Sequence, residues 1–219
     1  MNKMKPLSKS LLTKQRIEWN KGKKLAAYIM KLKGFKIEKE EHYTHMGAII
    51  TDAILQAGIN YKTVVKPRVM KVLNYKRAET TTGFYNLLKD MGPKKLLRWN
   101  HPEKPKRIMH VVLFLKKEGI ETKRQLKAWL MEETNIIKLK GVRGVGDKTA
   151  DYFKILCGSQ AIAIDRHLMK FLIIAGISVH GYSEAKKIIE KTAEYMEINQ
   201  TSLDYSIWKY MADKTGIKT

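Results

Sequence analysis

The sequence predicts an all-α chain of about ten helices, and three observations carry that expectation. Apolar residues recur at three- and four-residue spacing along most of the chain, as one buried helix face requires. No segment alternates apolar and polar residues for long, and residues 161–164 make at most a short extended link. The periodic segments are separated by glycines, prolines and the short polar residues that cap helices.

Taken in order, residues 1–39 hold 12 Lys+Arg and 2 Glu, so they supply +10 of the chain's net +22. The first twenty or so suit either a loosely held basic arm or a helix packed on the C-terminal part. Residues 23–33 read as a helix stopped by Gly34. Residues 42–58 form a mostly apolar helix carrying Ile49, Ile50, Ala53 and Ile54, buried on more than one face. A helix over 63–73 contains Pro67, which implies a late start near Lys66 or a kink. The next, over 82–91, closes at Gly92-Pro93. After the loop 101–105, Ile108, Val111, Val112 and Leu115 line one stripe of a helix that ends at Gly119. Thr122 with Gln125 has the spacing of a capping box, opening a helix that carries Trp129 and Leu130. Residues 148–157 form a helix stopped by Gly158, Asp165 caps another stopped by Gly176, and Ser183 and Ser202 are the expected caps of the last two.

Charge narrows the choice of partner. With Lys+Arg 43 against Asp+Glu 21, the surface favours phosphate polyanions and speeds encounter with them. Ribosomal-type RNA binding, an anionic membrane or a lysine-rich thermophile proteome would give the same excess. A hydrophobic fraction of 44% supports a real core and excludes a disordered basic tail. No apolar run approaches the ~20 residues of a membrane span, and no secretory signal is recognisable, so a soluble intracellular protein is expected. Cys157 is the only cysteine, so there is no disulfide framework and no cysteine-rich metal site. It reads as a small core residue.

The densest chemistry lies in Leu139-Lys140-Gly141-Val142-Arg143-Gly144-Val145-Gly146-Asp147-Lys148-Thr149-Ala150, followed by Ala163-Ile164-Asp165-Arg166-His167. Two glycines flanking one apolar residue let the backbone turn sharply with bare N–H groups. Where such a turn feeds a helix, those groups and the helix dipole make a seat for a phosphate. An amine on Lys148 and a carboxylate on Asp165 follow.

These residues resemble the helix-hairpin-helix of the endonuclease III and 8-oxoguanine DNA glycosylase superfamily, with Ile164-Asp165-Arg166-His167 similar to its Val-Asp-x-His element. The resemblance covers about residues 122–175. It implies two helical lobes with the active-site cleft between them: residues 40–164 as a six-helix barrel-like lobe holding the hairpin 139–150, and residues 165–219 as a C-terminal lobe on which the basic segment 1–39 packs. It assigns Asp165 to stabilising the sugar cation, a residue that its position alone explains as an N-cap. It makes Lys148 the Schiff-base nucleophile of a bifunctional glycosylase and abasic-site lyase, where a solvated or phosphate-binding lysine is the plain alternative. An amine attacks only when neutral, which burial and the positive end of a helix dipole favour.

By the same resemblance Gly144, Val145 and Gly146 hold a backbone phosphate, and the carbonyls of Lys140, Val142 and Val145 match a monovalent-cation site. Arg143 stands where the family usually has proline, as a further phosphate contact or one more surface charge. Leu55-Gln56-Ala57-Gly58-Ile59-Asn60 resembles the turn of endonuclease III that enters the duplex, which makes Gln56, and after it Asn60, the residue filling the hole left by a flipped base. His167 is expected in a structural hydrogen bond. One cysteine cannot supply the four thiolates of the iron–sulfur cluster that endonuclease III usually carries, so no cofactor is expected. The implied partner is double-stranded DNA with a damaged base or an abasic site, bound by a monomer. A helix-hairpin-helix also serves DNA- and RNA-binding proteins without chemistry, and monofunctional mismatch or alkylation glycosylases share the scaffold. Both readings stay open on the sequence, although a lysine at position 148 favours oxidised bases.

Overall fold

A computed structural model describes residues 9–39, 42–56 and 58–214. Among them every regular element is helical. The α-helices are α1 (Lys9–Lys31), α2 (Met46–Leu55), α3 (Lys66–Leu73), α4 (Thr81–Met91), α5 (Pro93–Leu97), α6 (Glu103–Lys117), α7 (Lys123–Trp129), α8 (Glu133–Lys140), α9 (Asp147–Leu156), α10 (Arg166–Ile174), α11 (Tyr182–Tyr195) and α12 (Gln200–Lys214). A π-helical turn, Tyr61–Val65, leads into α3, and a 3-10 turn, Lys76–Glu79, precedes α4.

The described residues separate into two compact units, one within Glu41–Ala163 and one within Met1–Glu40 and Ile164–Gly216. In the continuous unit α2 is the central element, with every residue from Met46 to Leu55 buried. It contacts α3, α4, α6 and α9. Because apolar side chains cover all its faces, it can only be stable when enclosed on every side. The discontinuous unit is built on α1 lying along α11, with α12 packed on α10 and α11. Here Gly22 permits the close approach: a Cβ on it would stand 2.9 Å from that of Lys191. Phe35, Phe171 and Tyr210 fill the space beside them, with ring centroids 5.4–6.1 Å apart.

Several expected boundaries shift. Helix α1 takes up Lys9–Lys31 of the basic segment and residues 32–39 are not helical; residues 1–8 lie outside the described residues. Pro67 sits in the first turn of α3, the late start, where its missing N–H costs nothing. Gly92 closes α4 as expected, and Pro93 is the first residue of a further short helix, α5. The last two caps are corrected. Gly181 with φ +96, not Ser183, precedes α11, and Asn199 Oδ1 accepts from the amides of Thr201 (2.9 Å) and Ser202 (3.2 Å), replacing Ser202 as the cap of α12. Thr122 and Gln125 do form the capping box of α7.

Candidate functional site

Helices α8 and α9 are joined by a tight hairpin. Val142 N–H donates to Leu139 O and Val145 N–H to Val142 O, each at 3.0 Å. Gly144 adopts φ +96, which L side chains rarely take, and a Cβ there would also meet Arg107 Cδ at 2.5 Å. Gly146 is extended (φ −104, ψ −172) with open space around it, and it precedes α9 without any side-chain cap. Lys140 at the end of α8 pairs with Asp147 at the start of α9, which ties the two helices together across the turn. Arg143 reaches Glu103 on α6 at 3.5 Å, and Arg107 reaches the same carboxylate at 3.7 Å.

One expected contact needs correction. The Val145 N–H is engaged inside the hairpin and its side chain is in the core, so this amide is not available to a phosphate as the turn stands. Gly144 and Gly146 are exposed. The Val142 carbonyl already accepts one bond, which leaves it one lone pair for a cation.

Lys148, the second residue of α9, is half-buried, and its Nζ donates to Gln56 Oε1 at 2.6 Å. It lies 5.6 Å from the ring centroid of Tyr152, one turn further on. Gln56, at the C-terminus of α2, has its buried Nε2 without a hydrogen-bond partner. The residue expected to enter the duplex is thus held against the expected nucleophile. Asn60 accepts from Thr63 N–H at 3.0 Å and caps the π-helical turn. Ala57 of the same stretch lies outside the described residues.

Two further groups stand beside Lys148. Asp52 is fully buried on α2 and accepts a hydrogen bond from the Tyr61 hydroxyl at 3.1 Å. Burial pushes its carboxyl up to about 6, although Tyr61, Tyr43, Lys148 and Tyr152 pull against that rise. Lys104 donates to Ile54 O at 2.7 Å, and burial, with the charges of Arg107 and Lys148, brings its amine down to about 8. Asp52 had a signal in the sequence, as the one charged residue in an otherwise apolar helix. Lys104 had none, since it reads as one more lysine in a proline-flanked loop.

In the discontinuous unit Asp165 caps α10, with Oδ1 accepting from the amides of His167 (2.8 Å) and Leu168 (2.9 Å). His167 is buried beneath this turn and meets Trp208 edge-on, with ring centroids 6.5 Å apart. Among the described residues no cluster of three or more His, Cys, Asp or Glu could hold a metal ion, and no helix is long and apolar enough to cross a membrane.

The profile of a domain of unknown function, DUF8548, matches residues 98–212, more than half of the chain. The chain belongs to the DUF8548 family. In this member the matched stretch runs from Arg98 through the hairpin and Lys148 to Asp165 and most of α12. Among curated proteins none matches by sequence. A solved structure with a similar fold is the H. pylori 3-methyladenine DNA glycosylase (MagIII) bound to 1,N6-ethenoadenine. It superposes with a TM-score of 0.61 at 16% identity, covering 92% of the DUF8548 chain and 99% of its own. The DUF8548 chain therefore shares the all-α fold of a DNA glycosylase.

Proposed function

We propose that the chain is a base-excision-repair DNA glycosylase with abasic-site lyase activity, acting as a monomer on double-stranded DNA without a cofactor. The observation that carries this reading is the amine of Lys148, set two residues past the exposed Gly146 and held by Gln56 beside the buried carboxyl of Asp52. The backbone at Gly144 and Gly146 would take the phosphate, helped by the dipole of α9. Arg143 is exposed and would add charge there. A monovalent cation on the carbonyls of Lys140, Val142 and Val145 would brace the turn.

In the first step the glycosidic bond breaks and the base leaves with the electron pair. The Asp165 carboxylate opposes the positive charge left on the sugar; its Oδ2 accepts from neither capping amide. Lys148 then adds to C1′, the C1′–O4′ bond of the sugar ring breaks with a proton passing from the amine to O4′, and the resulting imine permits β-elimination of the 3′ phosphate. This requires the Lys148–Gln56 bond to open, as it would if Gln56, or Asn60, moved to fill the hole left by the flipped base. An oxidised base fits a lysine-based enzyme. A second reading, excision of an alkylated base without strand cleavage, is favoured by the likeness to a 3-methyladenine glycosylase.

Borohydride trapping on duplexes carrying single lesions tests the chemistry. The wild type should link covalently to abasic and damaged DNA, and Lys148→Gln should abolish the adduct while keeping lesion affinity. Asp165→Asn should keep α10 capped and lose most excision. If Lys148→Gln still traps and Lys104→Gln does not, the amine at Lys104 is the nucleophile. Excision without trapping supports the alkylated-base reading, and no reaction on any duplex leaves a binding protein.

A further inference from the structure

The continuous unit carries a second concentration of positive charge that the hairpin chemistry does not use. A shallow pocket of about 730 Å³ is lined by Lys71 of α3, Lys94 and Lys95 of α5, and by Arg98, Trp99 and Asn100 after it. No acidic residue lines it. The cations crowd one another: burial, then Arg98 and Lys95, hold the Lys71 amine below its ordinary value. Like charges brought together without counter-charge oppose folding, so their retention needs a compensating partner.

The pocket is also built rather than frayed. Arg98 takes the left-handed conformation (φ 47), which costs a non-glycine residue on the order of 1 kcal/mol. Three bonds keep the chain there: Trp99 N–H to Lys94 O at 3.0 Å, Arg98 N–H to Lys95 O at 3.3 Å, and Arg68 Nη2 to Arg98 O at 2.9 Å. The Arg68 guanidinium, anchored also to Val64 O at 2.7 Å, lies 5.0 Å over the Trp99 ring. This turn is the left-handed C-cap of α5, and the stacked Arg68 fixes where it presents Arg98 and Trp99.

Its position adjoins the hairpin. Glu103 stands three positions after Asn100, a reach of at most ~10 Å, and it is the partner of Arg143. An extended polyanion seated on the hairpin would therefore pass this pocket within a few nucleotides.

We propose that the Lys71–Lys94–Lys95–Arg98 pocket is a second phosphate-binding site, which grips the backbone of duplex DNA beside the hairpin's footprint. It rests on the reading of the hairpin as a DNA-binding element but not on catalysis. Trp99 and Met91 supply the apolar part of the lining, and the lysines supply mobile charges that track successive phosphates.

The test measures affinity for undamaged duplexes of about 10 and about 24 base pairs across a salt series. Each phosphate contact adds about 0.9 to the slope of log K against log salt. The triple variant Lys71→Gln, Lys94→Gln, Lys95→Gln should lower that slope by roughly two to three on the long duplex. Its loss of affinity between 50 and 200 mM salt should then be roughly 15- to 60-fold smaller than the parent's. On the short duplex it should match the parent. The control Lys89→Gln, Lys116→Gln, Lys117→Gln removes equal charge elsewhere in the unit and should change both duplexes little. Thermal unfolding of the pocket variant should be unchanged or raised, because it relieves like-charge crowding. If control and pocket variants act alike, or both duplexes respond equally, only the general field is at work and the site is refuted. Selective loss of single-stranded RNA binding, with duplex binding intact, would also overturn it. A protein that excises no base yet passes this test keeps the site and loses only the enzymatic reading.

Discussion

Asp52 shows how one buried group can report on its neighbours. Its carboxyl titrates at about 6 in the folded chain against 3.8 without burial, so the native state binds more protons than the unfolded state between those values. Whatever stability the protonated form confers is complete below about pH 4 and is lost as pH rises through 6, by about 1.4 kcal/mol per unit of displacement. The difference in unfolding free energy between the parent and Asp52→Asn should therefore change across pH 4–6 and level off on either side. Denaturant titrations at four pH values check this; a constant difference would mean that Asp52 is not displaced. Because Lys148 is one of the groups that favour the carboxylate, Lys148→Gln should move the window upward. Neither effect was legible beforehand. The sequence marks Asp52 as the charged residue of an apolar helix, but only the enclosure of α2 makes its ionisation costly.

At the scale of elements, the hairpin separates two glycines that look equivalent in sequence. Gly144→Ala faces both a left-handed backbone and the Arg107 stem, and should cost about 1–3 kcal/mol of stability. Gly146→Ala meets neither obstacle, so its melting temperature should match the parent's. If a phosphate docks there, the new methyl group should still weaken DNA binding several-fold. Paired thermal melts and binding isotherms decide it, and unchanged affinity in Gly146→Ala would remove this glycine from the interface. Much of the surrounding architecture was readable: Thr122 and Asp165 cap as their spacing implies, because a cap is a local bond between near neighbours. The misses have equally local reasons. Ser183 and Ser202 were plausible caps, but Gly181 and Asn199, two and three residues earlier, take the positions. Helix α8 starts at Glu133, and Glu132 before it makes no side-chain cap, so nothing announces it. The hydrogen bond between Gln56 and Lys148 joins residues 92 apart and leaves no trace in any local pattern.

For the whole molecule the dominant quantity is a charge of +22 on 219 residues. Internal ion pairs, such as Lys21–Glu184 at 2.6 Å, leave that net charge unchanged. Self-repulsion should therefore be the larger electrostatic effect, and raising sodium chloride from about 20 to about 300 mM should increase the melting temperature by several degrees. Duplex DNA at fixed ionic strength should raise it further by binding the folded state. A melting temperature that falls with salt would show that the pairs outweigh the repulsion. The close seat of α1 on α11 at Gly22 bears on how the chain is made. A ribosome releases α1 long before Lys191 and Thr192 exist, because Gly22 and Thr192 lie 170 residues apart. The intervening stretch within Glu41–Ala163 is continuous and holds its own core, and it can close while synthesis proceeds. During that interval α1 presents an unburied apolar stripe of Leu25, Ala26 and Ile29 on a strongly cationic helix. While it waits, α1 is open to chaperones, to proteases and to the anionic RNA of the ribosome itself.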